Sequence, residues 1–297
     1  MKTSSNITPS SSKKIPIKLK ISVILYKILA SIGLSVADKI ALKLFYTSYI
    51  PNKPTPPQLA LCKSSKKTKI EINNHSFWIR RWGTGTKKAI LIHGWGGYSV
   101  QLNSFIDALL QKGFEVISFD AITEKDKGTP SSLIDFIALL GAVMEKENSN
   151  IDLLLGHSMG GVVATHFAFD ERVKALGVIS CPATAEVIMT NFKKELGATN
   201  KTITAIRKQI VDNYGKSIDD YFPDKMFKYK KPSIPSLLIH DDFDRQVSIN
   251  QHLQLKELLP NNTSFVSTKW GHTKVLENPA CINQLNSFLS QSQSTIS

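Results

Sequence analysis

Cysteine is scarce. Cys62, Cys181 and Cys281 stand far apart in a chain of 297 residues, which excludes a disulfide framework and a cysteine-based zinc site. An odd number of isolated cysteines favours a reducing compartment, so the expected setting is cytoplasmic. No uncharged apolar run reaches about 18 residues, which excludes a simple multi-spanning membrane protein. Gly and Pro are near average usage, and the chain is 42% hydrophobic and 21% charged. Those values exclude a fibrous repeat and a wholly disordered chain. No internal repeat is visible, and no metal site is expected.

Acidic residues are nearly missing from the beginning of the chain. Residues 1–69 hold 13 Lys and one acid, Asp38, a net of +12, which leaves only +1 of the total +13 for residues 70–297. The basic excess therefore belongs to an N-terminal segment, and a nucleic-acid-binding body is not implied. Such a segment suits an anionic membrane surface, or it is a solvated extension with no partner.

Residues 1–14, rich in Ser, Thr, Asn and Lys, read as a disordered tail. Residues 15–50 read as a helical segment, because Ile17, Ile21, Ile24, Ile28, Ile32, Val36, Ile40 and Leu44 recur three or four apart on one stripe. Three readings compete for it. It is an amphipathic helix packed on the domain or lying on a membrane through residues 13–50. Alternatively it is an anchor or uncleaved signal, with Lys13, Lys14, Lys18 and Lys20 preceding the apolar stretch and Lys27 arguing against insertion. Or it is a signal cleaved near Ser35-Val36-Ala37. Pro51, Pro54, Pro56 and Pro57 then predict an extended linker over 51–67, and a compact domain over 68–291.

Within that domain strands and helices alternate. Strands are expected at 69–82 (a hairpin turning at Asn73-Asn74), 89–93, 115–120, 151–155, 173–180, 236–240 and 263–268. Helices are expected at 104–111, 130–146, 159–169, 249–259 and 279–289. Such alternation builds βαβ units, hence an α/β fold with a mostly parallel sheet and helices on both faces. It breaks once, between Pro182 and Pro232, where Lys-rich helical material without a strand reads as a helical lid insertion.

The sharpest chemical signal is Gly156-His-Ser-Met-Gly160, placed between a strand and a helix. A Ser on so tight a turn is held in a strained conformation with its Oγ above the sheet, and small residues two before and two after it are sterically required. This is a nucleophile elbow. A Ser hydroxyl needs a base. His272 in Trp270-Gly-His-Thr follows the last strand, where a doubly wound sheet places active groups. His93, His157 and His240 sit at strand ends, His166 reads as a packing or surface residue, and His75 and His252 as surface groups. The base needs an acid, and Asp241-Asp-Phe-Asp244 offers three. Asp244 is preferred, with Asp241 and Asp242 left as alternates for turn or capping roles. The turn His93-Gly-Trp-Gly-Gly97 lacks the spacing of a phosphate loop. It offers the Trp95 N–H as an oxyanion donor beside that of Met159, with Gly94, Gly96 and His157 as substrate-binding candidates.

Taken together, the His93-Gly-Trp-Gly-Gly, Gly156-His-Ser-Met-Gly-Gly, His240-Asp-Asp-Phe-Asp-Arg-Gln-Val and Gly271-His-Thr-Lys-Val-Leu-Glu-Asn-Pro blocks occur in the order of the α/β-hydrolase superfamily. The chain resembles that superfamily over roughly residues 70–290, with Phe288-Leu289 matching its closing helix. The resemblance implies the α/β-hydrolase fold, with Ser158 as nucleophile, His272 as base and Asp244 as acid. It departs from many relatives at Asp120-Ala-Ile-Thr-Glu-Lys-Asp-Lys-Gly128, where they carry an Asp-x-x-Gly-His/Asp-Ser run, and this removes any inference of substrate from them. The expectation is a serine hydrolase acting on a small-molecule acyl ester without metal or cofactor. The alternative is a hydrolase-fold binding protein without catalysis.

Overall fold

The computed structural model describes residues 17–32, 36–46, 54–72, 75–120 and 132–294. The expected tail over 1–14, the turn at Asn73-Asn74, Pro51, Pro130 and the departing stretch after Asp120 lie outside those residues.

The elements follow in chain order. Helices α1 (Ile17–Ser31), α2 (Val36–Tyr46) and α3 (Pro56–Ser64) precede strands β1 (Lys66–Ile72), β2 (His75–Trp82) and β3 (Lys87–Ile92). Then come α4 (Asn103–Gln111), β4 (Phe114–Phe119), α5 (Leu133–Glu147), β5 (Leu153–His157), α6 (Met159–Thr165) and β6 (Leu176–Ile179). The insertion carries α7 (Ala185–Leu196), α8 (Asn200–Tyr214), a 3-10 turn (Ile218–Tyr221) and α9 (Pro223–Met226). The chain closes with β7 (Ser236–Asp241), α10 (Ile249–Leu258), β8 (Asn262–Ser267), α11 (Gly271–Lys274) and α12 (Pro279–Ser294).

One eight-stranded sheet runs β1-β2-β4-β3-β5-β6-β7-β8. β2 is antiparallel to both β1 and β4, and the strands from β4 to β8 are parallel to one another. The central strands are apolar on both faces, as a doubly covered sheet requires. Successive side chains alternate between two cores. Ala89, Leu91, Leu153, Leu155, Leu237 and Ile239 face α4 and α12. Ile90, Ile92, Leu154, Val178 and Leu238 face α5 and α6. Each of these Leu, Ile and Val side chains fully withdrawn from water contributes about 1.5–3 kcal/mol.

Three expectations change. The linker holds α3, because Pro56 and Pro57 sit in a first turn, where a missing N–H costs nothing. Gln58 Oε1 accepts from the Thr55 N–H at 2.9 Å, and Trp82 Nε1–H donates to the Leu61 carbonyl at 2.8 Å, docking α3 on the sheet. Helix α5 begins at Leu133 because Ser132 caps it, its Oγ accepting from the Asp135 N–H at 3.0 Å. The N-terminal segment is two helices rather than one stripe. α1 packs on α2, and α2 on α8. The buried face of α1 is not the expected one: Tyr26 is fully buried, with its hydroxyl donating to Thr202 Oγ1 at 3.1 Å. Ile21, Ile24, Ile28, Ile32 and Val36 are exposed.

Candidate active site

The sheet order reverses direction between β3 and β5. That switch point is where an open α/β sheet leaves a crevice at its carboxyl edge. Ile92 pairs with Gly156, so the turn beginning at His93-Gly94 emerges beside the turn carrying Ser158. Farther along, Asp241 pairs with Ser267, which brings the loops after β7 and β8 together.

Ser158 has φ 54° and ψ −120°, a conformation that L-residues rarely hold. Its own N–H is pinned to the Ile179 carbonyl at 2.8 Å. The glycines flanking it are steric necessities. A Cβ on Gly156 would sit 2.1 Å from the Gly160 carbonyl oxygen, and one on Gly160 would sit 2.3 Å from that of Ile92.

Three of the expected side chains meet at this point. Ser158 Oγ–H donates to His272 Nε2 at 2.9 Å, and His272 Nδ1–H donates to Asp244 Oδ2 at 2.6 Å. The other Asp244 oxygen accepts from the N–H groups of Gln246 at 2.8 Å and Val247 at 2.9 Å. Burial pushes the Asp244 pKa upward. The His272 hydrogen bond and charge, with the two N–H donors, outweigh it and hold this carboxyl below its ordinary value.

The alternates separate cleanly. Asp242 is exposed. Asp241 is fully buried and accepts from Ser267 Oγ–H at 2.7 Å, Gly271 N–H at 2.8 Å, Phe243 N–H at 3.0 Å and Trp270 N–H at 3.2 Å. It ties the loop that carries Asp244 to the loop that carries His272. Burial opposes its ionisation, and those donors overcome it and lower its pKa.

Ser158, His272, Trp95, Gly96 and Met159 all line one cavity of about 870 Å³. Met159 opens α6, so its N–H has no acceptor within the helix. Gly96 takes φ 68°. Gly94 and His157, the other substrate-binding candidates, do not line this cavity. The Gly94 N–H is taken by Gln101 Oε1 at 2.8 Å. A Cβ on Gly94 would press on His157 Nδ1 and on Ser158 Cβ, at 2.9 and 3.2 Å. His157 is buried, and its Nε2–H donates to the backbone carbonyl of His272 at 2.8 Å. It thereby ties the end of β5 to the loop that carries His272.

His252, read as a surface group, is 2% exposed and hydrogen-bonds Ser264 Oγ at 2.8 Å. It lies on the inner side of α10, against His240, and a lone polar residue in a helix carries no periodic signal. His166 is half-buried, with Nε2–H donating to the Tyr221 carbonyl at 2.9 Å.

Much of the remaining cavity wall comes from the insertion and from the N-terminal helices, whose place beside the site sequence spacing did not assign. The insertion supplies Ile188, Phe192 and Ile210, and the N-terminal helices supply Val23, Ile24 and Leu44. Phe45 of α2 meets Phe192 of α7 edge-on, with ring centroids 5.1 Å apart. Asn191 Nδ2–H donates to the Gln246 carbonyl at 2.7 Å, tying α7 to the Asp244 loop.

This sheet, and the three loops that meet at its carboxyl edge, define an α/β-hydrolase. Residues 89–272 match the Alpha/beta hydrolase family, and the chain belongs to it. No curated protein matches the chain in sequence. Among solved structures, it resembles a candidate lipase from Acinetobacter baumannii AYE at 18% identity, TM-score 0.60, over 82% of this chain and 99% of that one. It resembles a membrane phospholipase A described as a bacterial virulence factor at 16% identity, TM-score 0.59, over 93% and 99%. It also resembles a Vigna radiata epoxide hydrolase mutant at 14% identity, TM-score 0.56, over 77% and 99%. At these identities the likeness is one of fold, and the chemistries of the relatives differ.

Proposed function

We propose that the protein is a serine hydrolase that cleaves a carboxylic ester, or a similar acyl bond, through an acyl-enzyme. The observation that carries this reading is the unbroken relay from Ser158 Oγ to His272 at 2.9 Å and from His272 to Asp244 at 2.6 Å. A hydroxyl becomes a useful nucleophile only when a base takes its proton during attack, and the base keeps its productive tautomer only when its far nitrogen is held.

In this reading Ser158 Oγ adds to the acyl carbon while its proton passes to His272 Nε2. The charge arising on the carbonyl oxygen is met by the N–H groups of Trp95 and Met159, with the first turn of α6 adding its dipole. The tetrahedral species collapses, the alkoxide leaves with the proton from His272, and Ser158 keeps the acyl group. Water then repeats the sequence with His272 as base, freeing the acid and restoring the hydroxyl. These steps use only side chains, backbone donors and water. The apolar wall from Leu133, Ile188, Phe192 and Ile210 suits an aliphatic acyl chain, and α7 and α8 serve as a lid over it.

A fluorophosphonate probe tests the proposal. The native chain is expected to label at Ser158 and to hydrolyse p-nitrophenyl esters, and Ser158→Ala to do neither while keeping its fold. A native chain that neither labels nor hydrolyses esters of graded length would favour a binding protein on this scaffold.

A further inference from the structure

Helix α1 carries two apolar faces. Val23, Tyr26 and Ala30 turn inward against the domain. About 180° around the helix, Ile21, Ile24, Leu25 and Ile28 are 58%, 57%, 45% and 55% exposed, and Ile32, just past its end, is 65% exposed. The four within the helix fall within about 100° of arc, so they form one ridge and not scattered contacts. A helix apolar all round is ordinarily surrounded by apolar material, and a contiguous exposed patch of large aliphatic side chains marks an interaction surface.

We propose that this ridge lies in the surface of an anionic bilayer, and that the acyl substrate is a lipid entering the cavity from that surface. The inference rests on the hydrolase reading above. Three observations favour a bilayer over other occupants. First, the ridge offers only aliphatic side chains, with exposed Lys20 and Lys27 together on one border, the pattern of a helix that sinks its apolar side among lipid tails and keeps cations at the headgroups. Second, residues 1–69 carry a net +12. A second copy would bring like charge against like, whereas an anionic lipid surface attracts it. Third, the ridge is continuous with the cavity that holds Ser158: Lys20, Val23 and Ile24 line that cavity. A docked α1 therefore sets the cavity against the source of substrate. The helix lies on the bilayer instead of crossing it. Its 15 residues span about 22 Å, short of a hydrocarbon core of about 30 Å. Among the described residues no helix is long and apolar enough to cross a membrane.

The test uses the full chain and vesicles of phosphatidylcholine with or without phosphatidylglycerol. The native protein and Ser158→Ala are expected to sediment with the anionic vesicles. A triple variant, Ile21→Gln with Leu25→Gln and Ile28→Gln, leaves the residues lining the cavity untouched. It is expected to partition at least roughly tenfold less. It should keep native turnover of a soluble short-chain ester and lose turnover of a lipid ester embedded in vesicles. Native protein that stays in the supernatant with anionic vesicles overturns the proposal. So does a triple variant that sediments equally, or a native dimer that the triple variant dissociates. Sedimentation of Ser158→Ala separates the two readings, since it reports docking whether or not the chain cleaves esters.

Discussion

His157 Nε2–H donates to the backbone carbonyl of His272 at 2.8 Å. The residue immediately before Ser158 thus holds the loop of His272, 115 positions later in the chain. The two rings lie with centroids 4.9 Å apart. Burial pushes the His157 pKa down to about 3, so the ring stays neutral and keeps a single N–H for this bond. His157→Leu would leave a buried carbonyl without its donor, a loss of about 1–3 kcal/mol. The variant is expected to unfold at lower urea and to show reduced kcat on a soluble ester, with His157→Gln recovering part of both. Unchanged kcat in His157→Leu would remove the positioning role.

The three aspartates of one loop should respond differently. Asp244→Asn keeps the shape but loses the charge facing His272, and a drop in kcat of about 10⁴-fold is expected for losing the acid of such a relay. Asp242→Asn, at an exposed position, should leave both kcat and stability unchanged. Steady-state kinetics on one soluble ester decides between them, and comparable losses in the two variants would contradict the assignment.

Asp241 acts one step back from the chemistry. It joins two loops by accepting four donors. Asp241→Asn introduces N–H groups where acceptors are needed, so His272 is held less firmly against Ser158. We expect kcat to fall about tenfold or more from such misplacement, with KM for a soluble ester nearly constant. An increase in KM alone would mean that the loop shapes the substrate cavity and not the relay.

Acid should destabilise this fold earlier than carboxylates alone would. Burial lowers the pKa of His93, His157, His240 and His252 from 6.5, that of His252 to about 4. Below pH 6.5 the unfolded chain binds protons that the folded chain refuses. The stability contributed by these groups is therefore complete above pH 6.5 and is lost as pH falls. Each group contributes a slope of up to about 1.4 kcal/mol per pH unit in that window. Urea midpoints measured at descending pH from neutrality should fall steadily, and the slope should be shallower in His252→Gln. A flat profile down to the carboxylate range would refute this account.

Local pattern was enough for the architecture and for placing Ser158 and His272 in turns beyond strand ends. Alternating apolar runs and helical periods specify which segments become strands and helices, and a Gly two residues either side of Ser158 is demanded by contacts as short as 2.1 Å, a requirement that sequence spacing displays directly. The order Ser158, Asp244, His272 was readable because each follows the carboxyl end of a strand, β5, β7 and β8, within a few residues. What local pattern could not decide was which side of an apolar helix turns inward. α1 is apolar on both faces, and only the fit of Tyr26 against Thr202 settles the matter. Nor could it distinguish Asp241 from Asp244, three positions apart in one loop. Their roles follow from what lies across the sheet edge, the N–H groups of 270 and 271 for one and the imidazole of His272 for the other. Spacing along a chain reports neighbours within a few residues, whereas burial and hydrogen-bond partners are set by segments from about thirty to more than a hundred residues distant, and these exist as neighbours only after folding.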